Sequence, residues 1–227
     1  MKDELARELA RMAQDLHQQP DVEQTAERFL DYVSTAIGAR HATVVLMQRG
    51  GRLEPVAATG ELVEEAERLQ LEVGEGPTHA TVNDHTSVLS QDATEDPRWP
   101  AWAPKAAMIG LRSILSVCLQ TKTTTVGALT LYSETPGRFT ETDESVAQLY
   151  ADHAALAVTN ARSESTLWQA IEARKQIGQA QGILMERFNL TGPQAFSVLR
   201  RYSQDHNVKL RDVARRLIAT RNLPENL

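Results

Sequence analysis

From Thr142 the chain carries a helical pattern that runs unbroken for more than forty residues, and this limits what the molecule can fold into. Positions 146, 149, 153, 156, 160, 163, 167, 170, 174, 177, 181, 184 and 188 advance in alternating steps of three and four. They are Val, Leu, His, Leu, Asn, Ser, Leu, Ala, Arg, Ile, Gln, Leu and Phe. This is the spacing of a coiled-coil seam, in which a buried asparagine such as Asn160 favours two strands at some cost in stability. Only about half of the seam is apolar, which argues against a continuous zipper. The expectation is a dimerising helix that carries one domain into another.

Charge divides along the same helix. Ser163 to Leu227 holds ten Lys/Arg against six Asp/Glu, a net of +4, while the first 162 residues hold fourteen against twenty-four, a net of −10. Such a split points to one part that meets a polyanion and another with a different task. A length of 227 residues suits one or two domains with a sizeable core. The single cysteine, Cys118, excludes an intramolecular disulfide and agrees with a reducing compartment; on its strand it reads as a small buried apolar residue. The N-terminus has no apolar run of signal-peptide length, and no window approaches the roughly 18 apolar residues that span a bilayer. A cytoplasmic protein without membrane contact is expected.

Leu5, Leu9, Met12 and Leu16 fall at helical spacing, and Pro20-Asp21 breaks that helix. Asp21 can cap a second helix, with Gln24 at the capping-box position and Phe29, Leu30, Val33 and Ile37 as its apolar face. The period then changes. Residues 42–47 and 53–58 read as strands around an Arg49-Gly50-Gly51-Arg52 turn, 61–70 as a helix, and 88–90, 113–119 and 126–132 as further strands. The stretch 91–104 reads as an irregular loop. The fold class is α+β, with one antiparallel sheet and flanking helices.

Beyond the long helix, Thr191 caps a helix that has Pro193 in its first turn and Gln194 completing a capping box. Phe196 and Tyr202 read as core residues of that helix. Leu210, Val213, Ala214, Leu217 and Ile218 make the apolar face of the last helix, whose other side presents Lys209, Arg211, Arg215, Arg216 and Arg221. Asp212 stands four residues before Arg216, as an i,i+4 pair would. Pro224 is expected to end the order of the chain.

Residues 174–221 closely resemble an ANTAR domain, the three-helix RNA-binding module of transcription antitermination regulators. The resemblance rests on Arg174, on Ile177-Gly178-Gln179-Ala180-Gln181-Gly182-Ile183-Leu184-Met185-Glu186-Arg187, on Gln194-Ala195-Phe196 with Leu199-Arg200-Arg201-Tyr202-Ser203, and on Asn207 to Ala214. Many members have lysine where this chain has Gln181, so one charge is given up here. Residues 21–160 are similar to a GAF domain, a small-molecule sensing and dimerising module. That likeness is carried by Gly74-Glu75-Gly76-Pro77, Asp96-Pro97-Arg98-Trp99-Pro100, Gly110-Leu111-Arg112-Ser113 and Val126-Gly127-Ala128-Leu129. Many relatives have cysteine after Gly-Glu-Gly-Pro; Thr78 stands there instead, which argues against thiol or metal chemistry. The expected organisation is an N-terminal helix at 1–20, a GAF-like domain at 21–160, a helical coiled-coil linker at 161–173 and an ANTAR domain at 174–221.

The ANTAR resemblance implies RNA hairpins in nascent leader transcripts as the partner, met by a homodimer. Candidate RNA contacts are Arg174, Gln179, Gln181, Arg187, Lys209, Arg211 and Arg215. Arginine and lysine reach phosphates, and hairpin loops offer splayed bases that the deep groove of A-form RNA withholds. Gly178, Ala180 and Gly182 lack bulk and admit a close approach by nucleic acid or a partner helix. In the GAF-like part, Arg98, Trp99, Trp102 and Arg112 are candidates for holding an unknown small-molecule ligand; the competing reading packs the tryptophans on the sheet and sets the arginines against acidic neighbours. His79 and His85 lack the spacing of a metal site. With no phosphate loop, nucleophile elbow or paired-carboxylate signature, neither an enzyme nor a cofactor is expected. The rival readings are a DNA-binding helix-turn-helix built from 193–205 and 208–219, a protein-interaction module with a basic tail, and, last in order, an enzyme whose GAF-like domain turns over a small molecule.

Overall fold

The computed structural model describes residues 2–222, and Pro224 lies outside the described residues. The chain divides into two compact units, Met1–Arg162 and Ser163–Leu227. The first unit contains α1 (Lys2–His17), α2 (Val22–Ile37), β1 (His41–Met47), β2 (Leu53–Ala58), α3 (Glu61–Val73), α4 (Pro77–Asp84) and β3 (Val88–Ser90). It continues through a single 3-10 turn at Ala93–Glu95, α5 (Ala103–Met108), β4 (Ser113–Gln120), β5 (Thr125–Ser133) and the beginning of α6 (Glu141–Phe188). The second unit holds the rest of α6, α7 (Gly192–Asp205) and α8 (Leu210–Thr220).

Local chemistry sets these boundaries. The Asp21 carboxylate accepts the Gln24 N–H at 2.8 Å to start α2, and Gly38, left-handed at φ 70°, closes it. The five strands order as β2-β1-β5-β4-β3, all antiparallel. Helices cover both faces. On one, Met12 and Leu16 of α1, Phe29 and Val33 of α2 and the alanine-rich face of α6 (Ala147, Ala151, Ala154, Ala155) bury Val44, Leu46, Leu115, Val117, Leu129 and Leu131. On the other, Val63, Ala66, Trp99, Trp102 and Ala106 pack with Ile114 and Tyr132. With both faces covered, β4 is buried from Ser113 to Leu119, which is why it reads as a continuous apolar run without alternation.

Three parts of the sequence reading need correction. Helix α3 runs on through Leu71-Glu72-Val73, and Gly74 caps it with its N–H on the Gln70 carbonyl. The segment after Gly76 is the helix α4, not expected because its Thr, His and Asn residues are weak helix formers. Similarly, 91–104 is not wholly irregular: it includes the 3-10 turn and the start of α5.

Each part of the long seam has a different environment. Leu149, His153, Leu156, Asn160, Ser163, Leu167, Ala170 and Arg174 are all exposed. Val146 packs against the first core, and further along Ile177 and Leu184 belong to the core of the second unit. Beyond Arg174 α7 and α8 cover Ile177 and Leu184 of the same helix, and the seam opens again only at Phe188. Over residues 163–172 every side chain of α6 is exposed, including Leu167 (61%), Trp168 (68%) and Ile171 (48%).

The crossing of β5 with β1 depends on Gly127. A methyl group there would stand 2.0 Å from the Val45 carbonyl oxygen, a backbone atom that cannot swing away. Gly127→Ala should therefore destabilise the first unit by about 2 kcal/mol or more, read as a lowered urea midpoint with an unchanged slope. Unchanged stability would contradict this packing.

Candidate nucleic-acid interface

The second unit is a three-helix arrangement around Ala180, Leu184, Ala195, Leu199, Val213, Ala214 and Leu217. Asn189, at φ 52°, ends α6 in the left-handed region, with the Leu190 N–H on the Met185 carbonyl. Thr191 opens α7 as the N-cap: its N–H donates to Gln194 Oε1 at 2.8 Å, the return half of a capping box.

The expected RNA contacts occupy three kinds of position. Arg174, Gln179 and Lys209 are exposed, and among the described residues Arg174 and Lys209 have no ion-pair partner. Arg211 and Arg215 are exposed but flank Asp212, at 3.8 Å and 3.5 Å. Asp212 thus pairs with Arg215 at i,i+3, one residue closer than the i,i+4 spacing predicted, and Arg216 has no ion-pair partner among the described residues. Gln181 and Arg187 are engaged inside the unit. Gln181 Nε2 donates to the Gly192 carbonyl at 3.1 Å, fastening the start of α7, and Arg187 donates to the Arg221 carbonyl at 2.6 Å and to Asn222 Oδ1 at 2.9 Å, closing the end of α8.

Of the three small residues on α6, Ala180 is fully buried in the core and cannot offer a close approach. Gly178 and Gly182 meet nothing within 4 Å of an added Cβ and leave the outer backbone of the helix open. Phe196, expected in the core, is 36% exposed, and Tyr202 is half-buried with its ring against His206.

In the first unit the four ligand candidates cluster around the 91–112 segment. Trp99 and Trp102 are buried edge to face, with centroids 5.9 Å apart, and Trp102 Nε1 donates to the Ala66 carbonyl at 3.2 Å. Arg98 lies 4.5 Å over the Trp99 ring and bonds Asp96 at 2.6 Å. Arg112 donates its Nε to Asp92 at 2.9 Å. Its guanidinium holds the Asp92 carboxyl well below the usual carboxylate range.

The sequence reading did not identify a polar cluster between α3, α4 and the sheet. The fully buried Glu67 carboxylate accepts from Thr43 (2.7 Å), Tyr132 (2.7 Å) and Thr78 (3.0 Å), and from the Gln70 amide (3.0 Å). Burial pushes the Glu67 carboxyl up while the three hydroxyl donors pull it down. The available signal was spacing: Glu67 and Gln70 share the face of α3 that carries Val63 and Ala66. Elsewhere, His85 bonds Thr125 through Nδ1 at 2.8 Å, and burial pushes the His79 imidazole down. Cys118 is buried on β4, and burial pushes its thiol up. Among the described residues, no group of three His, Cys, Asp or Glu could hold a metal ion, and no helix is long and apolar enough to cross a membrane.

These features coincide with two known domains. The model of the GAF domain matches residues 19–159, and that of the ANTAR domain matches residues 165–218. The chain belongs to the GAF domain family and carries an ANTAR domain. Among solved structures, the GAF domain of a phosphoenolpyruvate-protein phosphotransferase from Coxiella burnetii is 18% identical and superposes with a TM-score of 0.58, over 71% of this chain and 96% of that one. The free methionine-R-sulfoxide reductase from Neisseria meningitidis, solved with its substrate, is 17% identical with a TM-score of 0.56, over 70% of this chain and 91% of that one. Both show the fold alone. No curated protein matches the chain. The GAF–ANTAR pairing is regulatory, of the RNA-binding, antitermination and signal-transduction class.

Asp96 supplies a pH test of the GAF segment. The Arg98 guanidinium, aided by the Ser90 hydroxyl at 2.7 Å, holds its carboxyl down at about 2. A depressed folded value means stability that is present above the unfolded range near 3.8 and is lost as pH falls towards 2. Because Arg98 is half-exposed, the contribution is about 1 kcal/mol. Asp96→Asn should lower stability by about that much at pH 7, with the gap to wild type closing near pH 2 in urea titrations. A gap that does not vary with pH would contradict the ion pair's role.

Proposed function

We propose that this protein is a cytoplasmic homodimer that binds paired hairpins in nascent leader RNA, stabilises an antiterminator and lets transcription pass a terminator. One observation carries the reading: the ANTAR signature folds as a closed three-helix unit with Arg174 and Lys209 exposed and without an ion-pair partner among the described residues, on a chain that is otherwise acidic. Arg211 and Arg215 add exposed cations on α8, and each meets a single shared carboxylate. RNA loops suit such a surface because their bases are splayed and their phosphates are close. The protein is not an enzyme in this reading. Its GAF domain senses a small molecule or redox state, or serves only to dimerise. A ligand would act only by binding two arrangements of α6 unequally.

The dimer forms through the exposed stretch of the seam, Leu149, Leu156 and Leu167 in particular. Leu156→Glu with Leu167→Glu should shift the protein to monomer in sedimentation equilibrium while its circular dichroism stays helical. A dimer that persists would exclude the seam.

For RNA binding, full-length protein is titrated with tandem hairpins enriched from a randomised-loop library, and with matched duplex DNA, across a salt series. Hairpins should bind at least about tenfold tighter than DNA, with affinity falling steeply as salt rises. Arg211→Glu should lose about tenfold or more on hairpins, since a phosphate contact becomes a repulsion. Equal, shallow binding to both nucleic acids would leave a solvated or protein-directed face. Preference for DNA would favour a helix-turn-helix reading of α7 and α8.

A further inference from the structure

The C-terminal end of α7 presents two stacked aromatic rings. Tyr202 and His206 lie with centroids 4.0 Å apart and planes 15° from parallel. Tyr202 is half-buried and packs on the core of the second unit, so one face of the imidazole is covered. The histidine itself is exposed, and its other face is left to solvent. Its orientation is held: Nδ1 lies 3.0 Å from the Tyr202 carbonyl and donates to it, as does the His206 backbone N–H at 3.1 Å.

The loop behind the ring is fixed as well. Asn207 takes the left-handed conformation at φ 52°, Val208 returns its N–H to the Ser203 carbonyl at 3.0 Å, and the Ser203 hydroxyl donates to the Val208 carbonyl at 2.6 Å. Lys209 follows at once as the N-cap of α8, exposed and without an ion-pair partner among the described residues, with Arg211 two residues on. A pre-oriented ring with one open face, followed within a few residues by two cations, has the chemistry to stack an unpaired base and hold its phosphate.

We propose that His206 is an RNA-contacting residue whose open face stacks one unpaired base of the bound hairpin loop, with Tyr202 as the fixed backing and Lys209 at the adjoining phosphate. The proposal rests on the RNA-binding reading above and adds to it a base-contacting position that the cationic residues do not provide. A paired base is excluded as the occupant because neither of its faces is free in the duplex. The backing is already in place, so stacking freezes little side-chain freedom, and the gain per base is the ordinary aromatic–base contribution.

The test uses full-length protein and the hairpin that wild type enriches from a randomised-loop library. His206→Ala should weaken binding roughly 5- to 150-fold, the equivalent of one aromatic–base stack, while His206→Phe should stay within about threefold of wild type. Replacing each loop nucleotide in turn by an abasic one should reveal a single position that costs wild type and His206→Phe a similar factor but costs His206→Ala almost nothing. That coupling is the signature of a direct contact and would not follow from a role in capping α7. His206→Ala binding within about twofold of wild type, or abasic losses that are the same in both proteins at every position, would overturn the stack while RNA binding stands. If wild type enriches no hairpin at all, the RNA-binding reading fails and this proposal fails with it.

Discussion

The structure depends on how closely α6 packs, because this one helix supplies part of two cores. Near its start it seats Ala147, Ala151, Ala154 and Ala155 under the sheet, where small side chains bring its backbone close to the strands. Near its end Ala180 and Leu184 serve α7 and α8 in the same manner. The side chains of residues 163–172 are exposed, and an isolated helix of that length is marginal in water. The exposed stretch is therefore held by the cores at its two ends. The exposed apolar side chains of Leu167, Trp168 and Ile171, grouped on one helix, are the surface that the proposed dimer seam would cover.

The GAF unit has a second constraint of its own. The Glu67 carboxylate of α3, without an ion-pair partner among the described residues, is buried against α4 and the sheet, satisfied by three hydroxyls and an amide. Such a network is stable only while every member keeps its partner. Any molecule entering between these helices and the sheet has to replace those hydrogen bonds, which limits occupants to polar ones with donors of their own. The tryptophan pair offers no such opening: it stabilises the unit from inside the core.

Much of the fold was legible because periodicity survives burial on one side. The 3.6-residue pattern of α2 and α8 and the Asp21 cap are local signals, and local signals do not need the partner to be known. The site was only half legible. Exposure of Arg174 and Lys209 follows from charge, because a long cationic side chain is rarely buried without a partner. The duties of Gln181 and Arg187 do not, since each bonds the backbone of a later helix, 11 and 34 residues away along the chain. Phe196 was misread because its place on an apolar stripe hides that it stands at the stripe's edge. Glu67 was missed because a charged residue on a helix is taken as solvated unless its phase is checked against its neighbours.

The central claim is that this chain works on RNA leaders. It is tested most directly by ultraviolet crosslinking of the full-length protein in its own cells, with sequencing of the recovered nucleic acid and mapping of the crosslinked peptides. The account predicts RNA tags concentrated at paired hairpins upstream of terminators, and crosslinks confined to residues 174–221. Recovery of RNA no higher than from an Arg211→Glu chain, or recovery of duplex DNA in its place, would contradict it.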